Sequence, residues 1–203
     1  MRDTVSRYSS AVTADETTRM GRPRSERSRR AVLHAVDDLL VDVGYAALTM
    51  KGIAERAGVG RQTLYRWWTT KAEILLEAIV DDVEEELTTP ALPDAADDLA
   101  AYLRELRDFL LTSPAGHAYR ALVGEAQHDP AVRDLVHTAD LLGTSARAVL
   151  DRVRPVAPAM PSADLGTAQF VGPVVYQALT TGTGFPDDDL REHVRTLLDR
   201  WST

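Results

Sequence analysis

Residues 49–71, Thr-Met-Lys-Gly-Ile-Ala-Glu-Arg-Ala-Gly-Val-Gly-Arg-Gln-Thr-Leu-Tyr-Arg-Trp-Trp-Thr-Thr-Lys, decide how this chain is read. Thr49 suits an N-cap, with its hydroxyl placed to accept from a backbone N–H near Gly52 and start a helix at Met50. Ile53, Ala54 and Ala57 form a small apolar stripe that seats two helical turns on a core. Gly58 ends that helix, because a left-handed C′ residue without Cβ escapes the usual clash. Val59 pins the turn, and Gly60 opens a second helix over about Arg61 to Trp67. That helix buries Leu64 and one face of the Trp67-Trp68 pair, and turns Arg61, Gln62, Thr63, Tyr65 and Arg66 outward.

The outward set has the chemistry of base and phosphate contact. Arginine can fork onto guanine, glutamine onto adenine, and threonine can offer its methyl to thymine. Tyr65 and Lys71 suit phosphate oxygens, which fix register without reading sequence. Thr70-Lys71-Ala72-Glu73 is a capping box, so a long helix starts at Lys71. Two short helices and a glycine turn alone would equally fit a plain hairpin with a solvated face. The order of the whole string, set between two longer helices, favours the major groove of double-stranded DNA.

Residues 21–79 resemble the DNA-binding domain of the tetracycline-repressor (TetR) family of bacterial transcriptional regulators. The resemblance is carried by Gly44-Tyr45, Leu48-Thr49, Ile53-Ala54, Ala57-Gly58-Val59, Thr63-Leu64-Tyr65 and Lys71-Ala72-Glu73-Ile74-Leu75. It implies DNA contacts from Thr49, Met50 and Lys51 at the start of the first hairpin helix. It implies further contacts from Arg61, Gln62, Thr63, Tyr65 and Trp67 on the recognition helix, with Arg66 facing the same way. Lys71 falls where the family contacts phosphate. Two positions depart from the pattern. Gly60 replaces the usual Ser or Thr cap, and Met50 can offer only an apolar contact.

Charge agrees once it is divided. The chain of 203 residues carries a formal charge of -8, yet residues 1–71 hold 13 Lys+Arg against 8 Asp+Glu. The remaining residues hold 10 against 23, so a basic head precedes an acidic body. Such a division lets the head meet phosphate while the body limits unspecific adhesion. There is no cysteine, which removes disulfides and thiolate metal sites. No apolar run is long enough for a bilayer and no secretory leader is evident, so a cytoplasmic protein is expected.

Residues 1–20 are polar and aperiodic and are expected to form a mobile arm. Arg22 and Arg24, within an arginine-rich stretch from Arg19 to Arg30, are candidates for a neighbouring minor groove. Helical spacing predicts a first helix over about Ser25 to Val43, stopped by Gly44. The helix after Thr70 should reach almost to Pro90. In the body, helices are predicted from about Asp94 to Ser113, Ala115 to Gln127, Asp129 to Val153, Ser162 to Thr180 and Asp187 to Trp201. Nothing alternates with period two, so the fold is expected to be all-α, of about nine helices. The division expected is an arm (1–20), a helix-turn-helix head (21–70) and a helical effector-binding and dimerisation body (71–203).

Helix-turn-helix heads work in pairs, about 34–36 Å apart on B-DNA. Ala168, Val171, Gly172, Val175 and Leu179, with Leu197 and Trp201 of the last helix, form the candidate face of a homodimer, and the resemblance implies the same helix pair. Pro173 should kink its helix. The resemblance also implies a small-molecule effector, probed by Tyr102, Phe109, His117, Tyr119, Gln127, His128 and His137 as the polar and aromatic side chains with reach. No cofactor motif is present. Enzyme chemistry finds no nucleophile elbow, phosphate loop or metal-spaced histidine pair. The readings that follow are a DNA-binding repressor released by an effector, or a DNA-binding regulator without one.

Overall fold

The computed structural model describes residues 22–203. The arm expected over 1–20, and the side chains of Arg22 and Arg24, lie outside the described residues. Ten α-helices and one short 3-10 turn follow one another, with no strand among the described residues. They are α1 (Arg22–Ala47), α2 (Met50–Ala57), α3 (Arg61–Tyr65), α4 (Lys71–Glu86), α5 (Ala95–Thr112), α6 (Pro114–Glu125), α7 (Pro130–Ala139), α8 (Leu141–Val153), α9 (Ala163–Thr180) and α10 (Asp187–Trp201). The all-α expectation holds.

Helix α1 is broken where the sequence reading put its end, at Gly44, whose φ of 73° lies in the left-handed region. Val32, Val36 and, after the break, Leu48 point inward and meet Ile53, Leu64, Trp68 and Leu75 in the core of the head. Helix α4 packs on α1 and, further along, on α6, so it belongs to both halves of the molecule. The body is assembled round α5, which packs against α6, α8, α9 and α10. Tyr102, Leu103, Leu106, Phe109 and Leu110 of α5 are fully or almost fully buried there.

One expectation needs correction. The single helix anticipated from Asp129 to Val153 is divided at Asp140, a non-glycine residue at φ 41° and ψ 44°. Its carboxylate is paired with Arg147, which holds the left-handed turn in place. Helix α9 runs from Ala163 to Thr180 with Pro173 inside it. The neighbouring faces of α9 are decided by helical period. Thr167, Phe170, Val171, Val174 and Ala178 face the core, while Leu165, Tyr176 and Leu179 are exposed.

Candidate nucleic-acid interface

The hairpin is built as its residue types dictate. Thr49 accepts from the Gly52 amide at 3.0 Å and starts α2. Gly58 adopts φ 64°, ψ 30°, and returns its amide to the last carbonyls of α2. Val59 continues the turn by donating to Ala54 O at 3.0 Å. Gly60, in the N-cap position of α3, supplies no side-chain cap. The helix that follows has only five residues, too short to persist by itself in water. It exists because Leu64 is 1% exposed in the head core, a burial worth roughly 1.5–3 kcal/mol.

The recognition helix ends at Tyr65, two residues sooner than expected. Trp67 donates to Leu64 O at 3.0 Å in a tighter turn, and Trp67 and Trp68 close the segment with their rings 5.5 Å apart. Trp68 is buried and Trp67 half-buried, so this pair anchors the helix more than it displays it. Trp68 Nε1 donates to Glu77 Oε2 at 2.8 Å, and Glu77 is also paired with Arg29 of α1. That three-residue network ties α1, the end of the recognition segment and α4. Arg56 of α2 is held in turn by Asp42 at 2.7 Å and Asp38 at 3.6 Å on α1. None of these ties shows in sequence spacing, because each joins residues brought together by tertiary folding.

Against this fixed frame, the outer side chains stand apart. Arg61, Gln62, Tyr65 and Arg66 are exposed, and among the described residues none makes a side-chain hydrogen bond or ion pair. Thr63 is half-buried at the edge of the same face. Lys51 is exposed and makes only a loose 3.8 Å pair with Glu55, and Met50 is half-buried beside it. The structure therefore brings Thr49, Met50, Lys51, Arg61, Gln62, Tyr65 and Arg66 to the hairpin. Arg61 and Arg66 thus carry no counter-charge among the described residues and are open to an anion.

Lys71 is placed differently. Thr70 caps α4 by accepting from the Glu73 amide at 3.2 Å, and Glu73 reaches back to the Thr69 amide at 2.6 Å, a capping box displaced by one residue. The Lys71 ammonium then turns inward. It donates to Tyr45 O at 2.9 Å and lies 4.1 Å from the centre of the Tyr45 ring. Burial, and after it the carboxylates of Glu125 and Asp129, push the Tyr45 hydroxyl up to about 12. Sequence reading gave Tyr45 no role.

The expected effector set does not converge. Tyr102 is 0% exposed, its hydroxyl lies 2.7 Å from Ser145 Oγ, and its ring stacks on Phe170 at 5.6 Å. Phe109 is equally part of the packed core. His117 and Gln127 share a cleft of about 500 Å³ between α6 and α9, with Arg120 and Leu179. Tyr119 is half-buried, while His128 and His137 are exposed. Tyr102 and Phe109 sit inward on α5 and Tyr119 packs part-buried against the core from α6, whereas His117, Gln127, His128 and His137 lie at the surface. The dimer set divides similarly. Leu197 is 7% exposed and Trp201 1%, with the Trp201 indole N–H 3.2 Å from Gln169 Oε1, and Val171 is buried too. Those three belong to the chain's own core, whereas Ala168, Gly172, Val175 and Leu179 keep surface on α9.

A helical body carrying a small basic-faced helix-turn-helix head defines a DNA-binding regulator, and comparison with known proteins agrees. Residues 32–78 match the family model of bacterial regulatory proteins of the tetR family, and residues 89–197 match the tetracycline repressor-like C-terminal domain. The HTH-type transcriptional regulator YdeS of Bacillus subtilis is 29% identical over 181 residues, covering 87% of this chain and 91% of its own. The crystal structure of the TetR-family regulator SCO0332 superposes with a TM-score of 0.69 at 29% identity, over 85% of this chain and 97% of that one. RolR, solved with resorcinol, shares the fold at a TM-score of 0.63 and 20% identity over 89% of this chain and 90% of its own. The chain belongs to the TetR family of DNA-binding transcriptional regulators. It is a regulator and not an enzyme. No helix among the described residues is long and apolar enough to cross a membrane.

Proposed function

We propose that this protein is a cytoplasmic repressor that binds a two-fold-symmetric operator as a homodimer and leaves it when a small molecule enters the body. The carrying observation is the unpaired polar face of α3. Arg61, Gln62, Tyr65 and Arg66 are exposed and unpartnered among the described residues, and a buried Leu64 and Trp68 hold their backbone rigid. In this reading Arg61 and Gln62 read base edges, while Thr49, Lys51, Tyr65 and Arg66 meet phosphates. Met50 and Thr63 add apolar contact. The head ends near residue 70 and the body follows it.

Pairing of heads is supported by α9. Leu165, Tyr176 and Leu179 expose 52%, 66% and 40% of their surface, and Ala168, Gly172 and Val175 lie in the same stripe. A single chain has no use for such a face, and a two-fold axis through it joins like to like. In this reading an effector enters the core by parting α5 from α8 and α9, where Tyr102 rests on Ser145 and Phe170. Such a movement displaces α4, which α6 and α8 support.

The test selects duplexes from a random pool with purified protein and measures the mass of the complex by sedimentation. Two chains on an inverted repeat are expected. Failure to enrich any duplex at low salt would sink the reading. Compounds that raise the melting temperature should also release the selected duplex, which is how effector control is checked.

A further inference from the structure

Between α6 and the end of α9 lies a cleft of about 500 Å³. His117, Arg120, Ala121 and Gly124 line it at the spacing of a single helical face, and Ala178 and Leu179 form the opposite wall. Arg120 is the only formally charged side chain in this lining. It is half-buried and pairs with no carboxylate among the described residues. Its one contact is long, 3.4 Å to Ala178 O in the last turn of α9. That contact takes a single N–H of the guanidinium and leaves the planar fork able to receive a second partner. The other polar groups are already engaged. His117 Nε2 lies 2.9 Å from Leu111 O, and Gln127 Nε2 donates to Val123 O at 3.1 Å.

Gly124 adds to this. Glycine weakens a helix relative to alanine, and here no close approach requires it, since a Cβ at that position would meet nothing within 4 Å. Its bareness keeps the way to Arg120, one turn back, open. We infer that the cleft is a binding site for an amphipathic organic anion, whose carboxylate Arg120 grips while its apolar part lies along Ala121, Val123 and Leu179. A carboxylate matches the guanidinium fork, and the volume is that of a small-molecule site. Entry parts no helices, so this site is separate from the route past Tyr102. Helix α6 also packs on α4 and α1, and Leu179 borders the stripe assigned to the dimer. An occupant therefore bears on the support of the head and on the edge of that face. The inference names a ligand class that the effector reading leaves open, and rests on that reading for its consequence alone.

The experiment titrates the full chain with 2-naphthoate and with its neutral analogue 2-naphthamide, followed by amide NMR. Naphthoate should saturate and shift the resonances of Arg120, Gly124 and Leu179. Naphthamide should bind about tenfold more weakly or worse, the share of a charge-assisted pair. Arg120→Gln should weaken naphthoate by about tenfold and leave naphthamide unchanged. Gly124→Glu enters open space and gives Arg120 a carboxylate of its own at i+4, so it should lose naphthoate as Arg120→Gln does. Gly124→Gln, of the same bulk without the charge, should stay within about threefold of the unaltered protein. No saturation, equal affinity for the two compounds, or full affinity for naphthoate in Arg120→Gln would overturn the inference. Equal losses in Gly124→Glu and Gly124→Gln would overturn it too, because obstruction and not charge would then explain them. DNA takes no part in these titrations, so their failure leaves the repressor reading standing. Failure of every stabilising compound to release the selected duplex would instead count against effector control, and not against this site.

Discussion

The Arg152 Nε of α8 lies 3.0 Å from Oδ2 of Asp98 on α5, an ion pair close in distance but outside hydrogen-bond geometry. Asp98 is almost wholly buried, and it also accepts from the Leu92 amide at 3.0 Å. Arg152 extends the knot by donating to Thr89 O at 2.8 Å and Thr89 Oγ1 at 3.1 Å. The segment between α4 and α5 is thereby fastened to α8. Because the carboxylate is buried and the guanidinium is not, the two halves of the pair are unequal. Arg152→Met leaves an uncompensated buried charge and should destabilise the fold by about 3–5 kcal/mol. Asp98→Asn, which leaves the positive partner free to reach water, should lose less. Urea unfolding of both variants checks the order, and equal losses would contradict it.

The recognition face makes the opposite forecast. Arg61 and Gln62 are exposed and make no side-chain hydrogen bond or ion pair among the described residues, so alanine at either should leave the melting temperature within about 2 °C of the parent's, since exposed unpartnered side chains carry little stability. Operator affinity should fall by about 1–3 kcal/mol, with one base position read less strictly. Gel-shift titration on a selected duplex and its point variants measures both effects. Unchanged affinity in both variants would remove α3 from the major groove.

Asp37 of α1 gives the fold a dependence on pH. Burial, and after it the charge of Asp82 on α4, raise its carboxyl from 3.8 to about 6, with His34 opposing the shift. The folded state therefore holds a proton that the unfolded state has released, and stability is present at low pH and lost as pH rises through that interval. Partial exposure reduces the effect to about 1–2 kcal/mol. Asp37→Asn should be more stable than the parent at pH 7, and the difference should vanish near pH 4. A parent protein whose stability rises between pH 4 and 6 relative to Asp37→Asn would refute the sign.

A charge on α9 should separate the proposed dimer without unfolding its subunits. Tyr176 and Leu179 stand outside the core, so Leu179→Glu, alone or with Tyr176→Glu, should fold and melt as a compact chain. It should sediment as a single subunit and lose cooperative operator binding. A dimer surviving the double substitution would move the interface elsewhere.

Local signals alone specify the hairpin nearly whole. Thr49, Gly58 and Thr70 each act through neighbours four residues away or fewer, Leu64 follows the apolar period of its helix into the core, and all four behave as their residue types require. What stayed illegible depends on distant partners. The break at Asp140 is an example, since its left-handed turn is held by Arg147 and by the open space at Gly143, where a methyl would overlap the Asp140 carboxylate. Periodicity could mark Tyr102, Phe109, Leu197 and Trp201 as apolar-face residues. It could not tell a cavity wall or a subunit contact from plain core, because all three want the same side chains. The contact of Lys71 with Tyr45 stayed hidden for a related reason. A lysine at a helix start is equally suited to phosphate and to a carbonyl, and only the fold shows Tyr45 within reach.

The three tryptophans are distributed in a way that suits optical work. Trp67 and Trp68 sit together beneath the DNA-facing hairpin, and Trp201 is sealed against α9 beside Gln169. Replacing Trp201 by phenylalanine leaves emission from the head alone, and replacing the adjacent couple leaves emission from the body alone. The molecule thus carries separate native fluorophores for its two ends, and a stopped-flow record of each can time which end responds first.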